Sequence, residues 1–99
     1  MNMQAIMAQA QKMQRDINKK KEEIEKTIFT GKSEWVSIEL NGKREAISVK
    51  LSDSIELSNE DKEMLEDMFV LALNDANKKI DAAFNDKLGD YAGNLSGLF

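Results

Sequence analysis

From Met3 to Ile24 the apolar residues recur every seven positions. Met3, Ala10, Ile17 and Ile24 share one phase, and Ile6 and Met13 share the other until Lys20 interrupts it. This is the spacing of a coiled-coil seam. Apart from Ala5, Met7 and Ala8, every other position of the segment is Gln, Asn, Lys, Arg, Asp or Glu. A helix with so narrow an apolar stripe cannot sit at the centre of a globular core. It must project from the body, and its stripe needs a partner. Met3, Met7 and Met13 read as adaptable packing rather than as a ligand box.

The core must therefore come from the rest of the chain, where the period changes. Thr27–Thr30 is a short β-branched and aromatic run closed by Gly31. Trp35–Leu40 then alternates, with Val36, Ile38 and Leu40 on one face and Trp35, Ser37 and Glu39 on the other. Asn41-Gly42 is a strong hairpin signal, because both residues tolerate the positive φ of a type I′ turn. If Ile47, Val49 and Leu51 are to share the face of Val36, Ile38 and Leu40, the parity of side-chain alternation predicts a loop of two or four residues and excludes three. Ser58, with Asp61 three residues on, then opens a second helix, expected to run to about Leu88, whose stripe lies on the sheet. The expected fold class is α+β: a projecting N-terminal helix, a three-stranded antiparallel sheet and a long C-terminal helix in a single αβα domain over residues 1–88. Residues 89–99 have Gly at 89, 93 and 97 and read as a flexible tail whose Leu98 and Phe99 dock elsewhere.

Within the second helix, Met68–Leu73 is apolar all the way round, and a three-stranded sheet covers only one side of it. The other side predicts a second subunit. Phe69, Val70, Leu71, Ala72 and Leu73 are the candidate dimer interface, and the alternative cover is the N-terminal helix folded back upon them.

The composition excludes much chemistry. With no Cys and no His, disulfide frameworks, thiolate or imidazole metal sites and His-based catalytic triads are absent. Glu60, Asp61, Glu63, Glu66 and Asp67 crowd the start of the second helix, where the helix dipole alone favours acids. Thr30-Gly31-Lys32-Ser33 looks like the end of a phosphate loop, but Lys26 stands where that motif needs its first Gly. No enzyme, catalytic residue, cofactor, metal or small-molecule substrate is expected. The longest apolar run, Met68–Leu73, is far short of the roughly 18–20 residues of a membrane span. The N-terminus shows no secretory pattern, so no membrane partner is expected and the expected compartment is the cytoplasm.

The net charge is −4, but its distribution is uneven. Residues 12–21 carry Lys12, Arg15, Lys19, Lys20 and Lys21 against Asp16 alone, whereas residues 58–99 carry four bases and nine acids. One basic helix on an acidic body is compatible with phosphate contact, because screening confines each charge to about 10 Å.

The order of Gln9-Ala10-Gln11-Lys12-Met13-Gln14, Thr30-Gly31, Asn41-Gly42, the Asp61–Asp67 run and Asn74-Asp75-Ala76 before Lys78-Lys79 resembles the YbaB/EbfC family of bacterial nucleoid-associated proteins over residues 4–88. The resemblance implies a tweezer-like homodimer with projecting helices that binds DNA with little sequence preference, at the nucleoid. Two departures stand out: Lys32-Ser33-Glu34-Trp35 replaces a Gly-rich stretch, and the tail lacks the usual Pro. Trp35, placed opposite the Val36 face, would stack on a base or cover a sheet edge or the dimer seam. The expected DNA contacts are Lys12, Arg15, Lys19, Lys20 and Lys21, with Lys78, Lys79, Lys43 and Arg44 as weaker candidates. The alternative function is a dimeric interaction module that captures a partner helix on the Met/Ile seam without binding DNA.

Overall fold

A computed structural model describes residues 2–53 and 58–89. Helix α1 (Met3–Lys26) is capped by Asn2, whose Oδ1 accepts from the Gln4 N–H at 3.0 Å. Strands β1 (Ile28–Lys32), β2 (Val36–Asn41) and β3 (Ala46–Leu51) follow, then a 3₁₀ turn (Asn59–Asp61) and helix α2 (Lys62–Leu88). The sheet is antiparallel in the order β1-β2-β3. The expected α+β class and element order are observed. β1 runs through Gly31 to Lys32 instead of ending there. At the start of α2, Asp61 Oδ2 accepts from the Ser58 hydroxyl at 2.8 Å and from its N–H at 3.3 Å, the reciprocal cap anticipated from that pair.

The inner face of the sheet packs on α2. Val36, Ile38 and Leu40 are buried against Ala72, Ala76 and Ile80, with Phe29, Leu65, Met68, Phe69 and Phe84 half-buried around them. Each large apolar side chain removed from water there contributes about 1.5–3 kcal/mol. The helix comes closest to β1: a Cβ on Gly31 would lie 2.0 Å from the Ala72 carbonyl oxygen and 2.5 Å from the Ala76 nitrogen. Glycine is required there by backbone-to-backbone approach, since its φ is not positive.

The β2–β3 hairpin departs from the parity expectation. The Asn41 N–H donates to the Glu45 carbonyl and the Arg44 N–H to the Asn41 carbonyl, both at 3.0 Å, which leaves a three-residue loop, Gly42–Arg44. The left-handed residue is Arg44, at φ 66°, and no glycine has positive φ among the described residues. An odd loop by itself would turn Ser48 and Lys50 to the core. A bulge corrects this, because Leu40 stands opposite Ala46 and Glu39 opposite Ser48, leaving Ile47 as the extra residue. Val49 and Leu51 thereby return to the face of Ile38 and Val36 as anticipated, whereas Ile47 does not. It lines a surface cleft with Ile28, Asn41 and Glu45. Gly42 serves a different need from the turn: a Cβ would lie 2.1 Å from the Ile24 carbonyl oxygen, where the end of α1 crosses the hairpin.

Trp35 also differs from expectation. It sits in a bend ahead of β2, where strand alternation does not yet hold, and its half-buried side chain packs against the inner core. The Ser33 hydroxyl donates to the Met68 carbonyl at 2.9 Å and secures the β1–β2 connection on α2.

Helix α1 projects. Residues 2–16 are exposed along their whole length, and the molecule measures 71 × 20 × 16 Å. Its anchors are Ile17 and Ile24, with Ile17 packed on Leu88 and Phe84. It does not fold back over the apolar band of α2: Val70 and Leu71 remain 56% and 60% exposed. The expected tail beyond Gly89 lies outside the described residues.

Candidate nucleic-acid interface

At about 100° per residue, Lys12, Arg15 and Lys19 fall within a narrow arc of α1. That arc lies opposite the side carrying Ile17 and Ile24. All three side chains are exposed, and no ion pair holds any of them among the described residues. The row extends about 10 Å along the helix. Lys26 continues it, a position the reading of the sequence passed over although the same spacing identifies it. Lys20 and Lys21 flank the buried seam instead and are half-buried. Their placement makes them peripheral to the row.

The remaining basic candidates are spread over the body, and most face carboxylates. Arg44 hydrogen-bonds to the Asn77 side chain and pairs with Asp81, which fastens the hairpin to α2. Lys79 donates to the Thr30 carbonyl at 2.6 Å and lies 3.4 Å from Asp75. Lys43 pairs with Glu25 at 3.8 Å. Surface pairs of this kind contribute little stability, yet each sets a negative charge where a phosphate would approach. Lys78 borders a shallow cleft with Leu71, Asn74, Asp75 and Asp81. The cleft beside Trp35 holds Lys32 and Lys50 together with Glu34 and Asp53, so its charges balance.

Asp75 went unnoticed as an individual residue in the sequence. Its Oδ2 accepts from the Lys32 N–H at 3.0 Å. That backbone hydrogen bond, aided by the Lys79 and Lys78 charges against a smaller opposing effect of desolvation, holds its carboxyl below the ordinary Asp value. The contact clamps the end of β1 to α2 across 43 positions of sequence, a separation no local pattern reveals.

Of the candidate interface on α2, Ala72 is fully buried under the sheet and Phe69 half-buried beside it, so both belong to the protomer's own core. Val70, Leu71 and Leu73 face outward. On the neighbouring strand Val49 and Leu51 are uncovered as well, because α2 lies over β1 and β2. Among the described residues no helix is long and apolar enough to cross a membrane.

This arrangement of elements recurs in known proteins. A crystal structure of an uncharacterized protein from Helicobacter pylori superposes with a TM-score of 0.71 at 27% identity, covering 87% of this chain and 91% of that one. A nucleoid-associated protein of Streptococcus thermophilus is 42% identical over 97 residues, 96% of this chain and 97% of its own length. One from Chloroflexus aurantiacus is 35% identical over the full length of both. The YbaB/EbfC DNA-binding family matches residues 1–95, and with a projecting basic helix, a three-stranded sheet and a long second helix in the order that family led us to expect, the chain belongs to it.

Proposed function

We propose that this protein binds duplex DNA at the nucleoid, without sequence preference, as a homodimer whose two α1 helices contact phosphates through Lys12, Arg15 and Lys19. The observation that carries the reading is the row itself: three cations on the side of a projecting helix that faces away from the body. Membership of a DNA-binding family supplies the partner class. The distribution of the other cations supports the choice of face, because Arg44, Lys79 and Lys43 each sit beside a carboxylate. Contacts confined to phosphate carry no base information, which makes the binding indifferent to sequence.

The dimer rests on uncovered apolar surface. Val70, Leu71 and Leu73 on α2 and Val49 and Leu51 on β3 are apolar side chains that stay exposed among the described residues of the protomer. A second copy placing the same residues there would bury them in an isologous contact. Two copies also double the number of phosphate contacts.

The test is fluorescence anisotropy of a labelled random-sequence duplex at low salt and again at about 0.3 M. Binding should collapse at the higher salt, and unlabelled heterologous DNA should compete equally. Replacing Lys12, Arg15 and Lys19 with Ala should weaken all sequences alike and flatten the salt slope by about one unit per lost contact. An unchanged slope would remove those residues from the interface. A second reading is favoured by the exposure of Met3 and Ile6: a partner helix seated on the α1 seam. That contact would persist at about 0.5 M salt, where phosphate contacts fail.

A further inference from the structure

Among the described residues, the apolar stripe of α1 is buried at one end and open at the other. Ile17 packs on Leu88 and Phe84, and exposure then rises toward the tip, through 36% at Met13 and 43% at Ile6 to 70% at Met3. The backbone is helical as far as that tip, where Asn2 caps it, so the open stripe is a preformed surface with little ordering left to do on binding. Met3 and Ala10 occupy one seam position and Ile6 and Met13 the other. The stripe is also free of charge. No ionisable side chain occurs from Met3 to Gln11, the positions flanking the seam are Met7, Gln9 and Gln14, and Lys12 stands on the outer side of the helix.

We propose that the open stripe, Met3–Met13, pairs with the same stripe of a second copy as a short antiparallel coiled coil. With Met3 set opposite Met13 of the second copy, Ile6 meets Ala10, Ala10 meets Ile6 and Met13 meets Met3. In each of these four layers one seam position faces the other, which lets knobs from either helix enter the holes of its neighbour. The contact is two-fold and self-complementary, and it sets no two like charges together. The end of α2 selects the direction. A parallel pair in register would bring Leu88 and Phe84 of both copies to one level of the seam, at Ile17. In the antiparallel pair the second helix begins opposite Met13, four residues and about 6 Å short of Ile17, and clears them. Lys12, Arg15 and Lys19 stay on the outer side of each helix. About three turns per copy fall below the roughly 1,200 Å² of a standard interface, so the contact is reversible and strengthens where copies are concentrated. It uses no residue of α2 or β3, so copies joined through that surface can be linked further by this one. The pairing does not depend on the DNA reading.

The chain has no cysteine, which permits a direct test with single-cysteine variants of the full-length protein. Equal mixtures of Met3→Cys with Met13→Cys, and of Ile6→Cys with Ala10→Cys, are oxidised mildly without DNA, and the linked peptides are identified by mass spectrometry. The control, Gln4→Cys with Lys12→Cys, lies at the same level of the pair but faces outward. Since a disulfide requires Cα atoms within about 7 Å, the mixed product of each seam pair should exceed that of the control about tenfold. A preference for products that join like positions would make the pairing parallel, and mixed yields no higher than the control would leave the stripe to another occupant. Either result overturns the proposal. A second measurement needs no cysteine. Ile6 and Ala10 are exposed in the protomer, so Ile6→Glu with Ala10→Glu in one chain should keep the helix content while lowering the average mass in sedimentation at high concentration. An average mass equal to the parent's would also overturn it.

Discussion

Replacing Gly31 with Ala tests how closely the sheet lies on α2. The new methyl carbon would sit 2.0 Å from the Ala72 carbonyl oxygen, 2.5 Å from the Ala76 nitrogen and 2.8 Å from the Ala76 Cβ. The first two are backbone atoms in the middle of a long helix, so no side chain can rotate away. Relief requires the helix to withdraw by more than 1 Å, which pulls on the Lys32 N–H to Asp75 bond and on the Lys79 bond to Thr30 and opens the packing over Ile38. Overpacking of this kind costs about 1–3 kcal/mol, and two backbone contacts put this site at the upper end, about 3 kcal/mol. Backbone preference works in the other direction, since Gly31 has no positive φ and alanine is the better strand residue. For a domain of this size the loss corresponds to a fall in Tm of roughly 12–24 °C. The assay is thermal and urea unfolding followed by far-ultraviolet circular dichroism, at one protein concentration because a dimer would make Tm concentration-dependent. Gly89→Ala is the control: no atom lies within 4 Å of its added Cβ, so stability should be unchanged or slightly raised. A Gly31→Ala protein within about 0.5 kcal/mol of the parent would refute the close-approach reasoning.

Two further substitutions separate the surface of α2 from its core. Leu71→Glu should leave the fold intact and shift the protein to monomer in light scattering, because that side chain is 60% exposed in the protomer. Ala72→Glu, at a position with no exposure, should unfold the chain. A compact dimer of Leu71→Glu would move the interface elsewhere. Acidification probes the clamp at Asp75, whose folded pKa is depressed. Its contribution is present above the ordinary Asp value and is lost as pH falls through the lower folded value. Asp75→Asn should therefore destabilise at neutral pH and show a shallower loss of stability below about pH 4. Equal pH dependence in the two proteins would show that the Lys32 N–H does not favour the carboxylate.

The sequence alone determined what depends on spacing. The seven-residue repeat of α1 identified a projecting helix, because a stripe of two positions in seven cannot be surrounded. The alternation of Val36, Ile38 and Leu40 identified a half-buried strand, and Ser58 with Asp61 marked the start of the second helix. That the first helix is the basic element was also legible, since residues 12–21 carry five bases against one acid, but the separation of Lys12, Arg15 and Lys19 from the half-buried Lys20 and Lys21 came from the structure. Loop geometry and charge pairing were decided by the tertiary structure. The hairpin takes an odd loop with Arg44 left-handed and recovers its face through a bulge at Ile47, an exchange that counting parity cannot detect. Gly31 and Gly42 read as turn residues in sequence, yet each is there because another backbone passes within reach of a Cβ. The cations that sequence ranked as weaker candidates are set apart by partners as distant as Asp81 for Arg44, 37 positions away. Local periodicity records which side of an element is apolar, but only packing decides which backbone it touches and which charges it cancels.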